Sequence, residues 1–454
     1  MKIDNFLIDE QSSIREALAK INKNSHGIIF AKKPSGAISG VATDGDIRRS
    51  LISGLNLDSQ LVGSINKDFY WEHEGVSRET LIKKLDHQIR VIPILDSDMH
   101  LIEVITKHNL PIIQERPVFA RSKSPVRISF GGGGSDITNY FFDNGVGAVI
   151  NSTISFYTHA TLHIRNDSKI IIKSLDIDAT LSADNLQDCL DSSGKFDLIQ
   201  AVIKTINPDF GFELDLHSDF PMSSGLGGSA VVAAAILGCF NQFRKDQWTL
   251  HELSELAYEA ERLHQGIEGG WQDQYATIFG GFNFIEFKRD QNIVYPLRIP
   301  SDTLSELEES LILCHTGIKH DSGSIHKDQR SQIHKKEILN LVQKNVDLSY
   351  QIRNQLLRGS LSGFGRLLDA AWQFKRQLSS EISNSHLDQI YENAKKNGAV
   401  GGKLLGAGGG GFFIFFVAPA EKHELLSHLA KEGLEVKPFS FEEGGLQSWK
   451  VRLP

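Results

Sequence analysis

At 454 residues the chain is too long for one ordinary domain, so two or three are expected. Its 40% hydrophobic and 23% charged residues are those of a soluble globular protein that builds real cores. A net charge of −8 gives no electrostatic reason to expect nucleic acid or an anionic membrane as a partner. The three cysteines, Cys189, Cys239 and Cys314, have neither paired nor metal-like spacing, which predicts thiols in a reducing compartment. The opening Met1–Glu10 lacks a signal-peptide apolar core. The longest apolar runs, near 230–240 and 412–419, fall short of the ~20 residues of a membrane helix. A cytoplasmic protein is expected.

Ile14, Leu18 and Ile21 recur at near-helical spacing, predicting an amphipathic helix capped by Ser12 or Ser13. A strand over 27–31, a turn at Lys33-Pro-Ser-Gly36 and a strand over 37–42 follow, running into a second helix from Thr43-Asp-Gly-Asp46. The order recurs: helix over 76–85, strands over 90–95 and 100–105. Two copies predict a pseudo-symmetric pair packed as one unit over 1–112. Residues 109–124 carry two prolines and no period, and the linker is placed at 113–123.

That repeated order, with Gly40-Val-Ala-Thr-Asp-Gly-Asp46, resembles a tandem pair of CBS modules. The resemblance implies an adenine nucleotide in the cleft between repeats, Thr43 meeting phosphate and Asp46 the ribose hydroxyls. The second repeat reads Thr106-Lys-His-Asn109, without the matching aspartate, so at most one competent site is implied. A ligand-free appendage, or a module that makes a homodimer, is the alternative.

The second part begins with a strand, Ser124-Pro-Val-Arg-Ile-Ser-Phe130, and Gly131-Gly-Gly-Gly-Ser-Asp136. Gly133, Gly134 and Ser135 lie where backbone can approach a ligand closely. Arg127 suits phosphate and Asp136 suits sugar hydroxyls. Strands over 148–154, 157–163 and 169–173 alternate with helices around 196–206, 226–243, 250–264 and 334–357, an α+β pattern.

Pro221-Met-Ser-Ser-Gly-Leu-Gly-Gly-Ser-Ala230 runs without a break into an alanine-rich apolar stretch. A tight loop (Ser223, Ser224, Gly225, Leu226, Gly227, Gly228, Ser229, Ala230) that presents N–H groups at the start of a buried helix is an anion site, and phosphate is the expected anion. An N-capped core helix after a flexible turn is the plainer alternative. The spacing fits neither the Rossmann nor the Walker pattern. Glu261 and Asp273 would lie ~18 Å apart on one unbroken helix, too far to share a site. Gly266-Ile-Glu-Gly-Gly270 makes a reversal feasible, bringing both carboxylates toward one Mg²⁺. A solvated helix face is the alternative for Glu261. A third cluster, Gly401-Gly-Lys-Leu-Leu-Gly-Ala-Gly-Gly-Gly-Gly411, precedes the strand Phe412–Val417 and reads as a loop packed on ordered backbone or on ligand.

The three clusters, in this order over about 120–454, resemble the GHMP kinases, named for galactokinase, homoserine kinase, mevalonate kinase and phosphomevalonate kinase. The resemblance implies a two-domain α+β kinase fold, with a ribosomal-S5-like half (124–330) and a ferredoxin-like half (331–454), preceded here by the CBS pair. It implies ATP and Mg²⁺, with Ser229 and Glu261 on the metal and Asp273 as catalytic aspartate. Gly228 stands where the family usually has serine. Within the family, Arg127-Ile-Ser-Phe-Gly-Gly-Gly-Gly-Ser-Asp136 is most similar to the kinases of D-glycero-D-manno-heptose 7-phosphate, which would give the 1,7-bisphosphate. L-fucokinase-type enzymes are the close competitor. A small sugar or sugar phosphate is the expected partner, held by Asp136, Gly133, Gly134, Ser135, Gly408 and Gly409. Arg127 would either stabilise the transferring phosphoryl group or anchor the Asp273 region. Lys319, His320 and Lys327 are candidates for a substrate phosphate. The reading from another class is a nucleotide-sensing CBS protein with an inactive kinase domain.

Overall fold

The computed structural model describes residues 3–85, 89–110, 118–221, 223–318, 325, 328 and 335–452. The chain divides into two compact units, Met1–Glu115 and Arg116–Pro454. Among the described residues, no helix is long and apolar enough to cross a membrane.

In the first unit, β1 (Leu7–Asp9), α1 (Ile14–Asn24), β2 (Ile28–Lys32) and β3 (Ile38–Thr43) form a sheet ordered β1-β2-β3, followed by α2 (Asp44–Ile52). β4 (Glu72–His73), α3 (Arg78–Lys84), β5 (Val91–Leu95) and β6 (Leu101–Thr106) repeat the order and the pairing, parallel then antiparallel. Each repeat has a leading strand that the sequence pattern does not reveal; three and two residues are too few to show a period of two. Ser13, not Ser12, caps α1, in a capping box with Glu16. A second capping box joins Thr43 and Asp46: the Thr43 amide and hydroxyl both donate to the Asp46 carboxylate (2.9 and 2.6 Å). Against the cost of partial burial, these bonds and the Arg49 guanidinium lower the Asp46 pKa. Thr106 makes the same pair of bonds to the Asn109 side chain (2.6 and 2.8 Å), so a neutral amide occupies the place of the carboxylate in the second repeat.

The second unit opens with β7 (Val118–Gly131), α4 (Thr138–Asn144) and β8 (Gly147–Ile164). Residues 118–123, assigned to the linker from sequence, are therefore sheet. β8 is continuous through the two strands expected at 148–163 because different partners line its length. β9 (Ile170–Ser174), β10 (Ala179–Ala183), α5 (Leu186–Asp191), α6 (Asp197–Ile206) and β11 (Phe212–Ser218) follow. Next come α7 (Gly228–Asn241), α8 (Leu250–Glu259), α9 (Gln272–Phe279), β12 (Phe282–Phe287) and β13 (Asn292–Pro296). β12 pairs with the first part of β8 and β11 with its last, while β7 runs along the other edge.

α10 (Ser301–Ser310), β14 (Leu311–His315), α11 (Lys336–Leu357), α12 (Leu361–Lys375) and α13 (Ser385–Lys396) precede β15 (Ala399–Leu404) and β16 (Phe412–Val417). The chain then runs through α14 (Lys422–Lys431), β17 (Glu435–Lys437) and β18 (Gln447–Arg452). β15-β16-β14-β17 make a second, antiparallel sheet. β18 pairs with β7, so the chain returns to the eight-stranded sheet. Alanines along α7 let it lie close against β7 and β8; Ala233, Ala234 and Ala235 are fully buried.

Candidate active site

The loop before α7 alternates through the left-handed region, with φ of 57° at Ser223, 77° at Gly225 and 82° at Gly227. Such alternation turns successive amides into one concavity. α7 starts at Gly228 with no side-chain cap, leaving the amides of its first turn available to an anion. Glycine is needed at 227 twice over: for the positive φ, and because a Cβ there would lie 3.3 Å from Asp273 Oδ2 and 3.4 Å from Arg127 Cζ. The third glycine cluster backs this loop. Cβ atoms on Gly406 or Gly411 would strike Gly225 Cα at 2.6 Å or the Ser224 carbonyl at 2.3 Å, so bare backbone packs on bare backbone.

Arg127 on β7 and Asp273 on α9 form a two-pronged ion pair, Nε–Oδ1 and Nη2–Oδ2 both 2.8 Å, and Arg127 Nη1 donates to the Gly225 carbonyl at 2.7 Å. The guanidinium is buried, whereas the Asp273 side chain is 26% exposed on the cavity. The start of α9 is held by Trp271, which stacks on Tyr258 at 3.5 Å and donates from Nε1 to the Thr138 hydroxyl. The glycine-rich reversal after Glu261 is thus real. It follows a π-helical turn, Ala260–His264, that continues α8.

Arg127, Asp273 and the loop residues Ser223, Ser224, Gly225, Gly227 and Gly228 line one cavity of about 450 Å³, whereas Glu261 and Trp271 lie behind its wall. Asp136 lines it, accepting from the amides of Gly134 (3.0 Å) and Gln272 (3.2 Å). Burial, and then the charge of Asp273, raise its pKa. A Cβ on Gly270 would lie 1.9 Å from Asp136 Oδ2. On the acceptor-binding role that the resemblance implies for Asp136, Gly270→Ala is expected to push the carboxylate aside and raise the KM for the acceptor about tenfold, with the KM for ATP unchanged. The size follows from losing one charge-assisted hydrogen bond of about 1.5 kcal/mol. Steady-state kinetics with either substrate varied is the check.

Two lysines that sequence reasoning misses complete the cavity wall. Lys375, at the end of α12, is buried and donates to the carbonyl oxygens of Leu404 (2.9 Å) and Gly406, fixing the third glycine cluster. Its pKa falls well below normal through burial and the charges of Lys403 and Arg127. Lys403 on β15 is 3% exposed and lines the cavity, and its ammonium makes no hydrogen bond among the described residues. Burial, then Arg127, push its pKa down to about 7, with Asp136 opposing.

Of the residues expected from sequence, Arg127, Gly133, Gly134, Asp136, Ser223, Ser224, Gly225, Gly227, Gly228, Ser229 and Asp273 line this one cavity. Leu226 and Ala230 do not; both are fully buried beneath the loop as packing. Ser135 spends its hydroxyl inside the fold, donating to the Gly132 carbonyl and accepting from the Ala148 amide. Gly408 and Gly409 turn away to pack on Ile382, and Gly406 and Ala407 line the cavity in their place. Glu261 is fully buried, not on a solvated face. Its Oε2 accepts from Gln274, and its Oε1 has no hydrogen-bond partner among the described residues, with Arg262 3.7 Å away. Lys319, His320 and Lys327 lie outside the described residues.

Residues 197–281 match the family described as GHMP kinases N terminal domain, and residues 352–433 match GHMP kinases C terminal. The D-glycero-alpha-D-manno-heptose 7-phosphate kinase of Campylobacter jejuni is 37% identical over 337 residues, 73% of this chain and 99% of that protein. The L-fucokinase/L-fucose-1-P guanylyltransferase of Bacteroides fragilis is 27% identical, over 68% of this chain and 35% of its own length. A solved D-glycero-D-manno-heptose 1-phosphate kinase from Bacteroides thetaiotaomicron superposes with a TM-score of 0.62 at 31% identity, covering 74% of this chain and 100% of that one. A glycine loop that opens onto an uncapped helix start, with an aspartate set against it, suits phosphoryl transfer, and by these matches the chain belongs to the GHMP kinases, as a sugar kinase that phosphorylates a hydroxyl group.

Proposed function

We propose that the second unit uses ATP to phosphorylate D-glycero-D-manno-heptose 7-phosphate at its C1 hydroxyl, giving the 1,7-bisphosphate. The observation that carries this reading is the contact of the Arg127–Asp273 pair with the phosphate loop, in a cavity that Asp136 also faces. The similarity to the Campylobacter enzyme supplies the choice of sugar.

The triphosphate lies over residues 223–229 and the first turn of α7. Ile177, Ile199, Leu216 and Val232 line an apolar part of the cavity that suits the adenine ring. Asp273 is clamped by the Arg127 guanidinium. It accepts a hydrogen bond from the acceptor hydroxyl, aims the oxygen at the γ-phosphorus and takes the proton as the new O–P bond forms and the bond from the γ-phosphorus to the bridging oxygen breaks, ADP leaving, which suits a loose phosphoryl-transfer transition state. Arg127 serves as the anchor of Asp273 and of the loop through Gly225. Asp136 binds other hydroxyls of the sugar, and Lys403 turns an unbonded ammonium toward phosphate oxygens in the cavity.

Ser229 and Glu261 would hold Mg²⁺. A buried carboxylate oxygen without a hydrogen-bond partner suits a cation, and the π-helical turn that carries Glu261 touches α7, which carries Ser229. When bound, Mg²⁺ offsets the charge that develops between the β- and γ-phosphates.

The first unit is read as the CBS pair, with one adenine nucleotide near Thr43 and Asp46 and a homodimer formed through the pair. Asn109 in the second repeat supports a single site. ATP consumption against heptose 7-phosphate, L-fucose, galactose and mevalonate, each with and without AMP, tests both parts. Heptose 7-phosphate is expected to give the highest kcat/KM. Faster turnover of L-fucose would overturn the choice of sugar, and no response to AMP would remove the nucleotide from the first unit.

A further inference from the structure

We propose that His159, His217 and Asp219 form a binding site for a divalent transition metal ion of the zinc class, on the outer face of the eight-stranded sheet. His159 on β8 and His217 on β11 are direct cross-strand partners. Their rings stack with centroids 4.7 Å apart and planes 10° apart. Asp219, two residues beyond His217, emerges on the same face, with its Oδ2 3.3 Å from His159 Nε2. One ligand atom from each of the three residues lies within 4.8 Å of the others.

The scaffold fixes this trio. The register of β8 and β11 sets the two histidines opposite each other. The Asp219 amide donates to the Tyr157 carbonyl (2.9 Å), and the Tyr157 amide donates back to Asp219 Oδ2 (3.2 Å). Only side-chain torsions remain to be set on binding, which keeps the entropic cost small. The His217 side chain makes no hydrogen bond among the described residues, so no side-chain bond of its own is lost when it turns to a metal. Lys123, the neighbour of His159 on the opposite strand, holds its ammonium over the Tyr157 ring, 4.7 Å from the centroid.

Two imidazoles and one carboxylate select zinc, cobalt, nickel or copper over Mg²⁺, which prefers oxygen ligands in an octahedron. Three protein ligands on an exposed face leave room for water in the fourth position. The site is separate from the cavity. β11 turns Leu216 and Ser218 inward to line the cavity, whereas His217 and the adjoining Asp219 face solvent.

Protein stripped with a chelator and titrated with Co²⁺ is expected to take up one equivalent with visible absorption bands. Zn²⁺ should displace that ion and millimolar Mg²⁺ should not. The double variant His159→Ala/His217→Ala is expected to bind Co²⁺ roughly 100-fold more weakly, since losing even an outer partner of a metal ligand costs 10- to 100-fold. Its kcat with Mg²⁺ and ATP should match that of the wild type, because neither side chain lines the cavity, and this also shows that the variant folds. Zn²⁺ should raise the Tm of the wild type and not of the variant. Equal Co²⁺ uptake by both proteins, or uptake that Mg²⁺ displaces, would overturn the site.

Discussion

Asp273→Asn is expected to lower kcat by roughly 10²–10⁴, the size of a proton-handling contribution, with little change in the KM for ATP. Asparagine keeps the shape but cannot take the proton, and it replaces the two-pronged ion pair with one neutral contact. Part of the loss therefore comes from geometry, because Arg127 also holds the Gly225 carbonyl. Arg127→Lys separates the two contributions. It keeps the charge, loses the fork, and is expected to raise the KM for ATP as well as lower kcat. Near-normal turnover by the asparagine variant in a coupled assay would remove Asp273 from the chemistry.

Lys403→Met is expected to lower kcat/KM for the acceptor by roughly 10²–10³, the usual result of deleting one preorganised donor to developing charge. Methionine keeps the buried stem, so folding should survive. The pH profile gives a second test. The Lys403 pKa lies at about 7, so the ammonium predominates below that pH and is lost as pH rises through it. On the phosphate-binding role proposed for Lys403, in which the cation is the active form, kcat/KM for the wild type should fall above pH 7, while the methionine variant should lack that limb. A limb of the same size in both proteins would assign it to another group.

Much of the site is legible in the sequence because its chemistry needs residues that look odd there. Glycines at 225 and 227, set among small hydroxyl residues and followed at once by an alanine-rich run, mark a tight loop at a helix start. Asp273, between Gly-Gly-Trp-Gln and Gln-Tyr, does not sit in the company of a solvated carboxylate. Lys375 and Lys403 are missed for opposite reasons. Lys375 closes an amphipathic helix beside Arg376, where a cation ordinarily meets solvent and the helix dipole. Lys403 does carry a signal, since a lysine in a strand flanked by Gly402 and Leu404 has no obvious solvated face. Ser135, Gly408 and Gly409 pack on protein rather than lining the cavity, and a glycine-rich turn that packs on protein looks the same in sequence as one that packs on a ligand. The unbroken β8 depends on which strands lie alongside it, and that information is not local.

The packing of Gly406 and Gly411 on the loop at Ser224 and Gly225 has a consequence for how the protein is made. A newly synthesised chain that has passed α7 already holds every amide of the phosphate loop, yet the surface that shapes that loop is translated much later. The last strand of the large sheet, β18, emerges later still. On the nucleotide-binding role proposed for the loop, binding therefore depends on residues translated long after the loop itself. Chains cut short before residue 399 would expose the loop without its backing, and ATP is expected to raise their Tm less than that of the 454-residue chain.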